Sequence, residues 1–260
     1  MTTPSQRMSN RTRRAALVSV TALCLTIGGY GVALAASGFA FLPDTVAANS
    51  MSTAVKAHIV TASIALLVLP WQLDPHWQGG HRHRMLGRVY AVVAFLGGLA
   101  GVVAAPGSTG GGVAVAGFFL LGLAWMVTTA TAIVNAVAGH VVAHRRWALR
   151  SFALAFAGVT LRLELPLLTL VVPYAMAYAI VAWLCWVPNL LVVQRLVHAG
   201  ERQPAMAGLA HGARQRTGGG TGQRARAGAA VGAHPGPGDA AGRPGHRDAA
   251  GGPTGVRARL

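Results

Sequence analysis

Long apolar runs, separated by short polar or glycine-rich stretches, fill most of the chain up to residue 198. Six runs stand out, at about 15–39, 57–72, 87–105, 113–138, 148–171 and 174–197. A helix needs about 20 apolar residues to cross a bilayer, so each run qualifies or nearly so. The second is the shortest, which predicts tilt or a re-entrant start. Between the runs lie PDTVAANS, DPHWQGGHRHR, PGSTGGG, AGHVVAHRR and the single Pro173, all turn-like. The expected fold is all-α: a polytopic transmembrane bundle of six helices over residues 15–198. A basic N-terminus (1–14) precedes it and a disordered basic tail (199–260) follows.

Composition narrows the class. Hydrophobic residues make up 53% of the 260 positions, charged residues only 11%, and the mean hydropathy is +0.49. A soluble domain needs roughly 25–35% charge on its surface, and a disordered chain would be poor in apolar residues. An integral membrane protein remains, with the lipid bilayer as its first partner. The net charge of +16 would suit nucleic acid, but its distribution argues otherwise. Four arginines precede residue 15, nine lie in the tail, and most others mark the ends of apolar runs. No stretch joins a basic patch to stacking aromatics, so nucleic-acid binding is not expected. With the N-terminus inside, eleven arginines flank the inner face and only Lys56 lies outside. The positive-inside rule then predicts a multi-pass protein of the cell membrane with both termini cytoplasmic.

Both ends of the chain carry a second interpretation. Arg11 to Arg14, the apolar run and Ala33-Leu34-Ala35 resemble a signal peptide. The run of about 22 residues exceeds the usual 7–15, so a retained helix is expected. The last 62 residues contain no Phe, Trp or Tyr but hold 16 of the 34 glycines and nine arginines. Such a segment buries too little apolar area to offset its conformational entropy. It reads as a basic tail touching anionic lipid, or as an out-of-frame translation of a GC-rich gene. Cys24 and Cys185 fall inside apolar runs and read as small buried hydrophobes.

Candidate chemistry gathers at two depths. The third run opens with HRMLGRVY (His83 to Tyr90) and the fifth with HRRWALRS (His144 to Ser151). Each puts a His-Arg pair ahead of an apolar helix on the same membrane face. The plainest role for such residues is to reach lipid headgroups. A second reading is b-type haem: His83 and His144 would be axial ligands at one depth, with Arg84, Arg88, Arg145 and Arg150 available to its propionates. A third is a metal site, from His81 with His83 and from the i, i+4 pair His140 and His144. Asp74 is the one carboxylate nearby, so no metal ligands are assigned. His76 reads as a loop residue with no helix to fix it.

Deeper in the membrane, the fifth run carries Arg162 and Glu164. Ionisable groups there are costly and are functional candidates by default. Residues two apart face different sides of a helix, so each must find a partner elsewhere. Pro166 cannot donate to the Arg162 carbonyl. With His58 at the same level, the group reads either as a structural polar clamp or as a quinone, proton or small-solute site. Gly97 and Gly101 form a GxxxG, a helix-packing signal. No P-loop, HExxH or GxSxG is present.

The order of His58, HRMLGRVY, HRRWALRSFALAFAGVTLRLELPL and WLCWVPNLL resembles a bacterial family of predicted membrane proteins, domain of unknown function 2306. The resemblance covers about residues 55–196. It implies a multi-pass membrane fold and carries motif positions onto His58, His83, Arg84, Gly87, Arg88, His144, Arg145, Trp147, Arg150, Arg162 and Asn189. The chain departs from the pattern after the last helix. An acidic residue is expected there, and Gln194-Arg195 stands in its place.

Overall fold

The computed structural model describes residues 10–39 and 52–199. The PDTVAANS break and nearly all of the tail lie outside the described residues. Among those described, all regular structure is helical. The helices are α1 (Asn10–Ala36), α2 (Thr53–Leu73), α3 (His81–Ala104), α4 (Gly111–Val137), α5 (Val141–Ala155), α6 (Ala157–Thr169) and α7 (Tyr174–Leu184). A last helix, α8, covers 187–199. They compose six spans long and apolar enough to cross a membrane, with α5–α6 forming the fifth and α7–α8 the sixth. The chain is thus a multi-pass membrane protein built as a helical bundle.

The second span corrects the expected length. It runs for 21 residues rather than starting near position 57. Its first turn, TAVKAH, is too polar to register in an apolar count. The Ser52 side chain caps it, accepting from Val55 N at 3.3 Å.

Neighbouring helices pack in sequence as hairpins, α1 on α2, α2 on α3, α3 on α4 and α4 on α5, and α4 also packs on α7. Small residues set these contacts. Gly97 faces Thr61 and Trp125, while Gly98 and Gly122 bring the α3 and α4 backbones together. A Cβ on Gly122 would stand 2.8 Å from the Gly98 carbonyl oxygen. Close backbone approach of this kind is what small residues permit in membrane helices.

The fifth and sixth spans are interrupted at neighbouring points. α5 gives way to α6 at Phe156, and α7 to α8 at Cys185 and Trp186. Backbone carbonyls freed inside a bilayer must be re-satisfied. Thr160 Oγ1 donates to the Cys185 carbonyl at 2.5 Å. Asn189 Nδ2 donates to the same carbonyl at 2.8 Å and reaches Thr160 Oγ1 at 3.2 Å and the Ala153 carbonyl at 3.4 Å. Asn189 therefore stitches the two broken spans together.

Candidate functional site

Two turns place the histidines of the arginine-rich end. Gly79, at φ +81°, turns the chain into α3, so that His83 falls in its first turn. α4 ends at Gly139, φ +75°, whose N–H bonds the Ala136 carbonyl while His140 N bonds the Asn135 carbonyl. This is a Schellman ending, and glycine suits its left-handed residue. The chain then starts α5 at Val141, so His144 lies inside the first turn, while His140 is the cap residue outside it.

The two HR motifs share an internal spacing that aligns them across the bundle. In each, a hydroxyl follows the histidine by seven residues, two turns along the same face. Those hydroxyls meet: Tyr90 Oη and Ser151 Oγ are 2.9 Å apart. Thr129 Oγ1 approaches Ser151 Oγ at 2.7 Å, and Trp125 Nε1 donates to Tyr90 Oη at 3.2 Å. All four residues are buried. About 10 Å closer to the arginine-rich end, His83 and His144 are electrostatic neighbours.

The ring nitrogens of these two histidines differ in use. His144 Nδ1 lies 2.9 Å from the Ala132 carbonyl, which can only accept. Nδ1 therefore carries the proton, and in the neutral ring Nε2 keeps its lone pair. His83 Nδ1 is buried with no hydrogen-bond partner. Gln72, buried on α2, donates to the His83 carbonyl at 3.3 Å and packs beside Gly87. Neither of the two cavities described for the molecule is lined by His83 or His144.

The arginines divide into two groups. Arg84, Arg88 and Arg145 are exposed, and Arg84 reaches the Gly79 carbonyl at 3.3 Å. Arg150 lies over the Trp147 ring at 4.6 Å and donates to Gln194 Oε1 at 2.9 Å. Gln194 thus supplies the acceptor where the family pattern expects an acid. His76, expected to be unfixed, lies in a short 3₁₀ turn, Pro75–Trp77. Its backbone N–H and Nδ1 bond Asp74 Oδ1 at 2.9 and 2.8 Å, which holds the Asp74 carboxyl below its ordinary value. Among the described residues no three His, Cys, Asp or Glu side chains gather as a metal site.

The other half of the bundle holds a second polar group. His58 lies in the groove that Gly97 and Gly101 open on α3. Its Nδ1 bonds the Gly97 carbonyl at 2.8 Å, and a Cβ on Gly101 would stand 3.1 Å from the ring. The GxxxG here seats a histidine as well as a helix. Arg162 donates to the Gly158 carbonyl of its own helix at 2.9 Å. It is an electrostatic neighbour of His58, Tyr30 and Tyr178, from α2, α1 and α7. Glu164 does not join it: its Oε2 is buried and unpartnered, with Cys185 as an electrostatic neighbour.

Sequence reasoning missed Tyr90, Thr129, Trp125 and Ser151 as a network. Tyr90 and Ser151 closed the two motifs, and their shared spacing from histidine was the available signal. Tyr30 and Tyr178 carried no signal, because only folding brings them to Arg162.

The family model for domain of unknown function 2306, described as a predicted membrane protein, matches residues 55–197. That is more than half of the chain, and the protein belongs to this family. No curated protein and no solved structure matches the chain.

Proposed function

We propose that this membrane protein binds b-type haem through His83 and His144 and serves in electron transfer. The observation that carries the reading is the pairing of two helix faces. α3 and α5 present matched His and hydroxyl positions to each other, and each histidine keeps a ring nitrogen without a partner. A ligating histidine typically donates its other N–H to a carbonyl, as His144 does to Ala132. Arg84, Arg88 and Arg145 lie at the same end, where haem propionates would face the interface. Bound haem would supply the one-electron chemistry. This chain's own residues would hold the axial positions, fix the imidazole tautomer and neutralise the propionates.

The topology that goes with this reading puts the arginine-rich end and both termini on the cytoplasmic side of the cell membrane. The eleven-to-one bias of basic residues supports it. Residues 200–260 would then lie on the cytoplasmic side. The deciding experiment is a reduced-minus-oxidised visible spectrum of the full chain purified from haem-replete cells. A Soret and α-band pair is expected; a flat spectrum would sink the proposal.

A second reading has its own observation, the unpartnered Glu164 Oε2 and an Arg162 with no carboxylate partner among the described residues. Arg162, Glu164 and His58 would form a proton or small-solute pathway. In proteoliposomes, Glu164→Gln would then abolish proton-coupled flux while leaving any haem spectrum intact. Flux unchanged by Glu164→Gln would remove this reading.

A further inference from the structure

The cavity between α1 and α2 belongs to neither polar group. The two helices are tightly joined at one level: Gly28 lies against the Ser63 carbonyl and the Leu67 side chain, and Cys24 is fully buried. Towards the arginine-rich end α1 carries Arg14, Leu17, Val18, Thr21 and Ala22, with no glycine to let α2 close in. The helices separate there and leave a cleft of about 820 Å³. Leu17, Val18, Leu25, Pro70 and Trp71 are among its apolar lining. Val18, Leu25 and Trp71 remain 67%, 42% and 43% exposed, so no described residue covers this wall.

The mouth has different chemistry from the wall. Arg14, Asp74 and His76 line it. Arg14 makes no ion pair among the described residues. Among the described residues the Asp74 carboxylate bonds only His76, in its own turn, and the side chain stays 39% exposed. From Arg14 to Leu25 the cleft extends about 16 Å along α1, roughly half of the ~30 Å hydrocarbon thickness. A cleft one leaflet deep, apolar along its length and carrying one cation and one anion at its mouth, matches one kind of molecule. Its occupant has acyl chains, a phosphate for Arg14 and an N–H-bearing cation for Asp74.

We infer that this cleft is a binding site for phosphatidylethanolamine, with the phosphate on Arg14, the ammonium on Asp74 and one acyl chain along Leu17, Val18 and Leu25. Phosphatidylcholine offers the same phosphate but no N–H donor for the carboxylate. Phosphatidylglycerol offers no cation at all. Hydrogen bonding to Asp74 therefore separates phosphatidylethanolamine from phosphatidylcholine, and charge separates both from phosphatidylglycerol, at equal chain length.

The test uses the full chain in detergent with each lipid added in turn, read by native mass spectrometry and by thermal unfolding. Phosphatidylethanolamine should bind more tightly than the other two and raise the unfolding temperature most. Asp74→Asn keeps an acceptor oxygen for His76, so the turn survives, and Arg14→Gln removes the other charge. Each should weaken phosphatidylethanolamine binding about fivefold, the effect of one interfacial charge contact. Phosphatidylcholine binding should fall less than phosphatidylethanolamine binding in Asp74→Asn, because it loses a charge contact but no hydrogen bond. Equal binding of all three lipids, or a preference that survives both substitutions, would overturn the assignment and leave a generic lipid-filled groove.

Discussion

The two polar groups of this bundle are assembled in opposite ways. At the arginine-rich end, His83 and His144 come from first turns of helices, each fixed by a positive-φ glycine just ahead of it. Their faces are registered by a hydrogen bond between Tyr90 and Ser151, 61 residues apart. In the other half, His58, Arg162, Tyr30 and Tyr178 converge from four helices, and Glu164 is left without a partner. The first group is local structure repeated twice; the second exists only once the chain has folded. A repeated local unit suits a symmetric two-ligand site. A convergent set whose guanidinium has no carboxylate partner among the described residues suits a group that changes partners, because a fixed charge inside a membrane is costly to leave unpaired.

The largest effect that could break this contrast is loss of a ligand. On the proposed haem reading, His83→Ala and His144→Ala should each eliminate a low-spin haem spectrum, because one missing axial ligand destroys the pair. His58→Ala should leave it intact, although its Nδ1 is also tied to a carbonyl. A spectrum lost in all three variants would merge the two groups into one site.

A smaller effect sharpens the division. Asn189→Ala removes the donor shared by the Ala153 and Cys185 carbonyls, and Tyr90→Phe removes the hydroxyl between Trp125 and Ser151. Hydrogen bonds between membrane helices contribute about 0.6–1.7 kcal/mol each, so both variants should unfold at a lower temperature by a similar amount. Only Tyr90→Phe should also speed haem loss, since only that residue registers α3 on α5. Thermal melts followed both by helicity and by Soret absorbance would separate the two.

The smallest effect lies outside the spans. Asp74 ionises more readily in the fold because His76 donates to it, so this contact holds above the ordinary carboxylate value of 3.8 and is lost as pH falls through and below it. The Trp71 and Trp77 rings, 5.1 Å apart beside this turn, should report the change as a shift in fluorescence. His76→Ala should lessen that acid transition without abolishing it, because the backbone N–H at position 76 still donates to Asp74 while the ring's contact is lost.

Much of the fold was legible because membrane crossing imposes a length that composition reveals directly. The number of spans follows from apolar runs, and the depth of His83, His144 and His58 follows from counting along them. The interruption at Phe156 was not legible, since no proline stands near it, whereas the one at Cys185 had a signal in Pro188, which offers no N–H to the Leu184 carbonyl. The polar residues that repair them, Thr160 and Asn189, lie on different spans. The start of α2 was hidden for a simpler reason: its first turn is polar and capped by Ser52. Within the site, the two histidine motifs could be read in one dimension. The Tyr90–Ser151–Thr129–Trp125 network could not, because α4 supplies two of its members from between the helices that carry the motifs.

Electron paramagnetic resonance of the oxidised, purified full chain tests the central claim most directly. Two imidazoles on one iron, held by His83 and His144, predict a low-spin ferric haem signal that disappears in each single variant. A protein with no ferric haem signal, or with one unaffected by either substitution, would contradict the account.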